Sequence, residues 1–146
     1  MITKSQIQLV RSSFEQVLPI ADVVGQLFYG RIFRLAPETR ALFGDDIAPQ
    51  VKRLMAAVKD VVDGLDRLDD LRPFLVRLGA RHVRYGVEPR HFEIGGVALV
   101  WTLESGLGEA FTPAVREAWL EVWNFIAEGM VTGMRQAQRA AEGAAA

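Results

Sequence analysis

Two histidines, His82 and His91, are the only imidazoles in a chain of 146 residues that has no cysteine. Base, nucleophile or metal-ligand chemistry therefore has few places to reside. His82 ends the run Leu71, Leu75, Leu78, His82, whose spacings of four, three and four put all four side chains on one face of a helix. Arg72, Arg77, Arg81 and Arg84 fall largely on other faces, so an imidazole stands where the next core residue belongs while its neighbours meet water. A lone histidine in such a stripe is most often a satisfied core residue. Two further polar residues alter that weighing. Tyr29 follows Phe28 and precedes Ile32-Phe33, which sets its ring at the edge of an inner face; Gln50 lies in a first helical turn, four residues before Leu54, on a face that continues to Val58. Alone, the tyrosine reads as a core ring with a satisfied hydroxyl, and the glutamine as an ordinary polar residue near a helix start. Together they give a base on one helix and two hydrogen-bond donors on two others.

No acidic residue shares those faces, so general acid/base hydrolysis has no evident machinery. His91 follows His82 by nine residues across Gly-Val-Glu-Pro, and neither HExxH nor another zinc spacing joins them. Phosphate-cradling glycine loops are missing, and Ser12-Ser13 and Ser105-Gly106 have no histidine at a telling position. A single neutral imidazole in an apolar helical pocket is what one axial bond to a haem iron requires, because the porphyrin supplies the four equatorial nitrogens. The second ring nitrogen must then donate its proton, and the Leu78 carbonyl one turn back is the nearest acceptor. Tyr29 and Gln50 are placed to donate to a small ligand bound on the opposite side.

The elements that must position these residues are helices. Half the residues are hydrophobic and the formal charge is −1, a balance expected of one soluble domain with a single core and no nucleic-acid partner. The start Met1-Ile-Thr-Lys-Ser-Gln has no signal-peptide core, and no long uncharged apolar run follows, so a cytoplasmic chain off the membrane is expected. Thr3 with Gln6 is a capping box ahead of Ile7, Val10, Phe14 and Val17, and Pro19 ends that helix. A second helix spans about Ala21 to Leu35, with Gly25 inside it marking a close crossing. Pro37 opens a short turn reaching Leu42-Phe43. A third helix starts at Ala48 or Pro49 and is closed by Gly64-Leu-Asp66. The His82 helix follows and ends at Tyr85-Gly86. Pro89 opens the next, with Gly95-Gly96 marking another crossing, and Thr112-Pro113 launches the last. No segment alternates at period two. The fold expected is all-α, with six long helices and one short turn over residues 1–138 and a frayed tail over 139–146.

The chain resembles a globin over roughly Gln6 to Met134. The resemblance rests on Phe28-Tyr29 with Phe33, Pro37 followed by Leu42-Phe43, Gln50-Val-Lys-Arg-Leu54-Met, and Arg81-His-Val-Arg-Tyr-Gly-Val-Glu-Pro-Arg-His-Phe-Glu-Ile-Gly-Gly96. It is similar in particular to bacterial single-domain globins and the globin part of flavohaemoglobins, with some likeness to neuroglobin over Gln50 to Val62. The resemblance implies a globin fold and haem b as cofactor. It makes His82 the proximal iron ligand and Phe43 the ring that wedges the haem. Tyr29 and Gln50 become the distal pair, with Leu54 closing the pocket. Leu78, Tyr85, Val87 and Phe92 are further cofactor contacts, and Arg53 and Arg81 are candidate propionate partners. One departure stands out. The tyrosine and glutamate that support the proximal histidine in flavohaemoglobins are matched here by Phe92 and Met134, neither of which can do that work.

The leading expectation is reversible binding of dioxygen, carbon monoxide and nitric oxide, in storage or delivery. Nitric oxide dioxygenation with a separate reductase, gas sensing, and a haem-free helical interaction module are the alternatives.

Overall fold

The computed structural model describes residues 1–145. It contains α1 (Lys4–Val17), α2 (Ala21–Leu35), α3 (Ala48–Asp63), α4 (Leu68–Arg84), α5 (His91–Leu107) and α6 (Pro113–Ala145). Single 3-10 turns occupy Leu18–Ile20, Pro37–Leu42 and Gly108–Ala110, and no strand occurs among the described residues. The all-helical expectation holds. Two of the three turns were not expected, and one of them, Leu18–Ile20, carries Pro19.

Local chemistry sets the boundaries. The Thr3 hydroxyl accepts from Gln6 N at 3.1 Å while the Gln6 side chain accepts from Thr3 N at 3.0 Å, satisfying two donors that an α-helix start leaves open. Arg11 on α1 reaches across to donate to the Val62 and Asp63 carbonyls at 3.2 and 3.1 Å, so a cation closes the carboxyl end of α3. Thr112 Oγ1 accepts from Val115 N at 3.3 Å at the start of α6. In α4 the acids Asp69 and Asp70 lie in the first turn and Arg81, His82 and Arg84 in the last, each on the side the helix dipole favours. Gly86, at φ +86°, lets the chain leave that helix.

Small residues decide which helices meet. A Cβ at Gly25 would fall 2.5 Å from Val51 Cγ1, so α2 and α3 cross there. A side chain at Gly79 would run into the Met130 carbonyl, and one at Gly133 into the Val76 carbonyl, so α4 and α6 touch backbone to backbone. Two clusters result. The larger joins Val10, Phe14, Leu65, Leu75, Trp119 and Val122 with their neighbours; the smaller gathers Phe28, Tyr29, Val51 and Ala98. Buried Trp119 donates its indole N–H to Ser13 at 2.8 Å, tying α6 to α1 without an unpaired polar atom. No described helix is long and apolar enough to cross a membrane. Beyond Arg139, where fraying was expected, α6 stays helical to Ala145, and every side chain from Gln138 to Ala144 is exposed. Ala146 lies outside the described residues.

Candidate functional site

His82 sits in the last turn of α4, with Leu71 and Leu75 buried below it and Leu78 half-buried. Its Nδ1 lies 2.7 Å from the Leu78 carbonyl. A carbonyl only accepts, so Nδ1 carries the proton and the Nε2 lone pair is left for something else. Burial pushes the imidazole pKa below the usual 6.5; the Leu78 bond opposes that shift, and the nearby Arg81 charge adds to it. The neutral form, the one that ligates metals, is thereby favoured. Tyr85 packs edge-on to the ring at 5.5 Å with its own side chain 58% exposed. Val87 N donates to the His82 carbonyl at 3.2 Å, sealing the end of the helix. Phe92 lies further off in α5, half-buried against the larger cluster, its carbonyl accepting from Trp123 Nε1 at 2.9 Å.

Tyr29 on α2 and Gln50 on α3 come together. The Gln50 amide donates to the Tyr29 hydroxyl at 3.2 Å. Tyr29 is 6% exposed and wedged among Phe43 at 5.2 Å, Phe28 at 5.5 Å and Phe33 at 6.2 Å. Burial raises its pKa above the ordinary 10.0, with Gln50 and the Arg53 charge opposing, so the hydroxyl keeps its proton. Because the oxygen accepts from Gln50, that proton is not used between the two side chains. Leu54, one turn beyond Gln50, packs on the same cluster and also borders an apolar cavity of about 60 Å³ shared with Phe28, Val58 and Trp123. That cavity, and the packing of Trp123 on Phe28 at 6.3 Å in the cluster that also holds Ala98 and Tyr29, were not anticipated. The stripes of α5 and α6 mark both residues as apolar but do not say which neighbour they support.

Among the described residues no hydrogen bond or ring contact joins His82 to the Tyr29–Gln50 pair. α3 packs on α2 and α1 while α4 packs on α6; Gly64 against Leu71 is where the two adjoin, at the turn that links them. Among the described residues no three His, Cys, Asp or Glu side chains converge to hold a metal ion. His82 therefore offers a metal one nitrogen, and the other donors must arrive with the metal, as a porphyrin's do. A flat apolar macrocycle that brings its own four nitrogens would suit that single donor. Arg53 and Arg81 stand exposed beside the two sides, and neither forms an ion pair with a described residue. His91, the other imidazole, is held differently: Nδ1 accepts from Glu88 N at 3.0 Å, and Nε2 is buried without a hydrogen-bond partner, 3.9 Å from a Glu88 carboxylate oxygen.

Comparison with known proteins agrees with this architecture. The fold superposes on a Rhodothermus marinus protein described as an engineered carbene transferase with a provisional nitric oxide dioxygenase assignment, at a TM-score of 0.86 and 24% identity over 97% of this chain and 99% of that one. A bacterial globin from Campylobacter jejuni gives a TM-score of 0.82 at 22% identity over 94% of this chain and 99% of that one. In sequence, neuroglobin of Danio rerio is 30% identical over 139 residues, covering 86% of this chain and 87% of the relative. Neuroglobin of Tetraodon nigroviridis is 29% identical over 140 residues, covering 86% and 88%. With the globin family model matching residues 26–130 as well, the chain belongs to the globin family.

Proposed function

We propose that this globin holds haem b between α3 and α4 on His82 and reversibly binds dioxygen, with Tyr29 and Gln50 as the polar residues facing the gas. Haem supplies the open iron coordination position at which a diatomic gas binds. The chain's own residues do the rest. His82 presents Nε2 with its proton parked on the Leu78 side; Phe43 and Leu54 supply apolar walls next to Tyr29; Arg53 and Arg81 answer the two propionates. Leu78, Tyr85 and Val87 shape the His82 side, with Phe92 as a further apolar contact for the cofactor from α5.

One observation carries the dioxygen reading. Gln50 donates to the Tyr29 oxygen, which leaves the phenolic hydrogen of a buried, protonated tyrosine free to point at a ligand. A gas that takes up partial negative charge when held there, as dioxygen would, would gain most from such a donor. Nitric oxide dioxygenation with a separate reductase is the second reading, since the same donor would hold the oxygen that nitric oxide attacks. Against turnover stands the partner of the proximal imidazole. It is a backbone carbonyl, which cannot take the proton and make His82 a stronger electron donor, and Met134, which matches the supporting glutamate of flavohaemoglobins, is fully buried and apolar.

Spectra of the haem-loaded chain test the proposal. One haem per chain, a ferrous form that takes up oxygen and returns unchanged on degassing, is the result expected. Failure to retain haem, or oxidation on every exposure to oxygen, would overturn it. Stopped-flow mixing of the oxygenated chain with nitric oxide, followed by re-reduction with cellular reductases, separates the two readings.

A further inference from the structure

We propose that Arg40 is a positioning residue for the gas site: it fixes Phe33 and Phe43, and through those rings the direction in which Tyr29 offers its hydroxyl. The proposal rests on the reading of Tyr29 as the donor to bound gas. Residues 43–47 join the turn Pro37–Leu42 to α3 and belong to no helix, so no regular ladder satisfies their carbonyls. Arg40, in the last turn before them, does so instead. Its Nη1 donates to the Phe43 and Gly44 carbonyls at 3.4 and 2.9 Å, and its Nη2 to the Asp45 carbonyl at 3.2 Å. Among the described residues these three oxygens accept from nothing else. Spanning three successive carbonyls takes a planar fork with several N–H donors, which only a guanidinium has. Asp45 and Asp46 follow closely in sequence, yet Arg40 forms no ion pair with a described residue. Its donors are directed at the main chain.

The same guanidinium lies over the Phe33 ring, 5.2 Å from its centroid, in the stacked position that arginine favours. Phe33 stands one turn beyond Tyr29 on α2, so the two share a face, and their rings are stacked at 6.2 Å with 24° between the planes. Phe43 closes the triangle, edge-on to Phe33 at 5.4 Å and to Tyr29 at 5.2 Å. One cation therefore holds the backbone of one ring and the face of the other, and both rings bear on Tyr29. Gln50 fixes only the tyrosine oxygen; the plane of the ring is set by its aromatic neighbours. Direction matters because a hydrogen bond weakens steeply once its donor is turned away. The rings that Arg40 holds belong to the smaller cluster, which contains Tyr29, and not to the larger one on which most of the helices pack. Its loss should accordingly be felt at the gas site before it is felt in the fold.

Two measurements on the full chain test this. The first is oxygen release from the haem-loaded protein by stopped flow, in R40A, Y29F and the double variant. R40A should speed release about three- to tenfold, the size of coupling found between residues that share partners, and should add little in a chain that already carries Y29F. R40K keeps the charge but has one nitrogen and no flat face for Phe33, so it should match R40A rather than the parent. Gly44→Ala is the control: its Cβ would meet nothing within 4 Å, and neither measurement should change. The second reads the ring itself. The chain has two tyrosines, Tyr29 and Tyr85. In nuclear magnetic resonance of tyrosine-labelled protein, both haem-free and with haem and carbon monoxide bound, the Tyr29 ring signals should shift and broaden in R40A and R40K while those of Tyr85 hold. Helical circular dichroism should be the same in every variant. An R40A effect of equal size with and without the Tyr29 hydroxyl, full rescue by lysine, or Tyr29 signals indifferent to R40A would each overturn the proposal. If Y29F alone leaves oxygen release unchanged, it is the dioxygen reading that falls, and the ring signals still decide whether Arg40 holds Tyr29.

Discussion

Replacing Tyr29 with phenylalanine removes one oxygen atom and nothing else of size, so its consequences can be worked out term by term. The ring keeps its packing against Phe28, Phe33 and Phe43, and no cavity forms. The Gln50 amide loses its acceptor, but Gln50 is only half-buried and can turn to water, so the folded chain loses about 0.5–1.5 kcal/mol at most. The gas-bound state loses more. A hydrogen bond to a partly charged ligand in a buried site contributes about 1.5–3 kcal/mol, which is roughly ten- to a hundredfold in affinity. The bond exists only when gas is bound, so the change belongs in the dissociation rate. Oxygen release should therefore accelerate by that factor, carbon monoxide release much less, and oxygen entry hardly at all. Gln50→Leu should have the smaller effect on oxygen, because Gln50 acts first on the tyrosine oxygen. Laser-flash and stopped-flow rates for Y29F and Q50L measure all of this. Unchanged oxygen release in Y29F, or a large gain in ligand entry, would refute the reasoning; the second result would mean that the tyrosine had been blocking the iron.

Three further outcomes follow from the same geometry. His82→Ala should abolish haem retention or grossly alter its spectrum, whereas His91→Ala, whose ring is hydrogen-bonded to the Glu88 turn, should leave haem uptake nearly intact; absorption titration with haem compares them. Tyr29, whose pKa burial holds above 10.0, should keep its proton as the solution turns alkaline. A group with a raised folded pKa stabilises the fold fully below its unfolded value and loses that contribution only as pH rises through the folded one. Oxygen dissociation should accordingly be flat from neutral pH to about 10, and a transition near neutrality assigned to Tyr29 would contradict this. Gly79→Ala should destabilise the chain by about 1–3 kcal/mol in denaturant unfolding, since its methyl meets the Met130 backbone rather than a side chain that can move.

The periodicity of the sequence made the helices legible almost residue by residue, since capping and helix-breaking residues mark ends by local chemistry. Thr3, Pro19, Pro37, Gly64 and Thr112 each stand at or next to a boundary in the structure. The Leu71–Leu75–Leu78–His82 stripe was likewise enough to single out the histidine and the carbonyl that Nδ1 meets. What periodicity does not carry is pairing between helices. Gly25 and Gly95-Gly96 announced crossings, but Gly79 and Gly133 did not, because a glycine within a strong stripe looks like a flaw in the helix until the opposing backbone is seen. The Tyr29–Gln50 bond joins residues 21 apart on two helices; each lay on an apolar face, yet only the crossing of α2 on α3 decides that they touch. Exposure of Val97 was also invisible, because one outward valine in an apolar helix is indistinguishable from a core residue by type alone.

The two sides of the site are carried by separate partnerships, and this has an energetic consequence. Tyr29 and Gln50 depend on the α2–α3 crossing at Gly25 and Val51, while His82 depends on the α4–α6 crossing at Gly79 and Met130. α3 and α4 are covalent neighbours but pack on different helices. Without haem, perturbing one side should leave the other alone, and stability losses from Gly25→Ala and Gly79→Ala should add, as they do for distant sites without shared partners. Haem changes the relation, because one rigid group then touches both sides and stabilises only the chain in which both are formed. The same two substitutions should become non-additive in the haem-loaded chain, each weakening the grip that the other side relies on. Denaturant unfolding of the two single variants and the double variant, with and without haem, reads the coupling directly. Equal additivity in both states would mean that haem, wherever it binds, does not bridge α3 and α4, and the site as drawn would have to be abandoned.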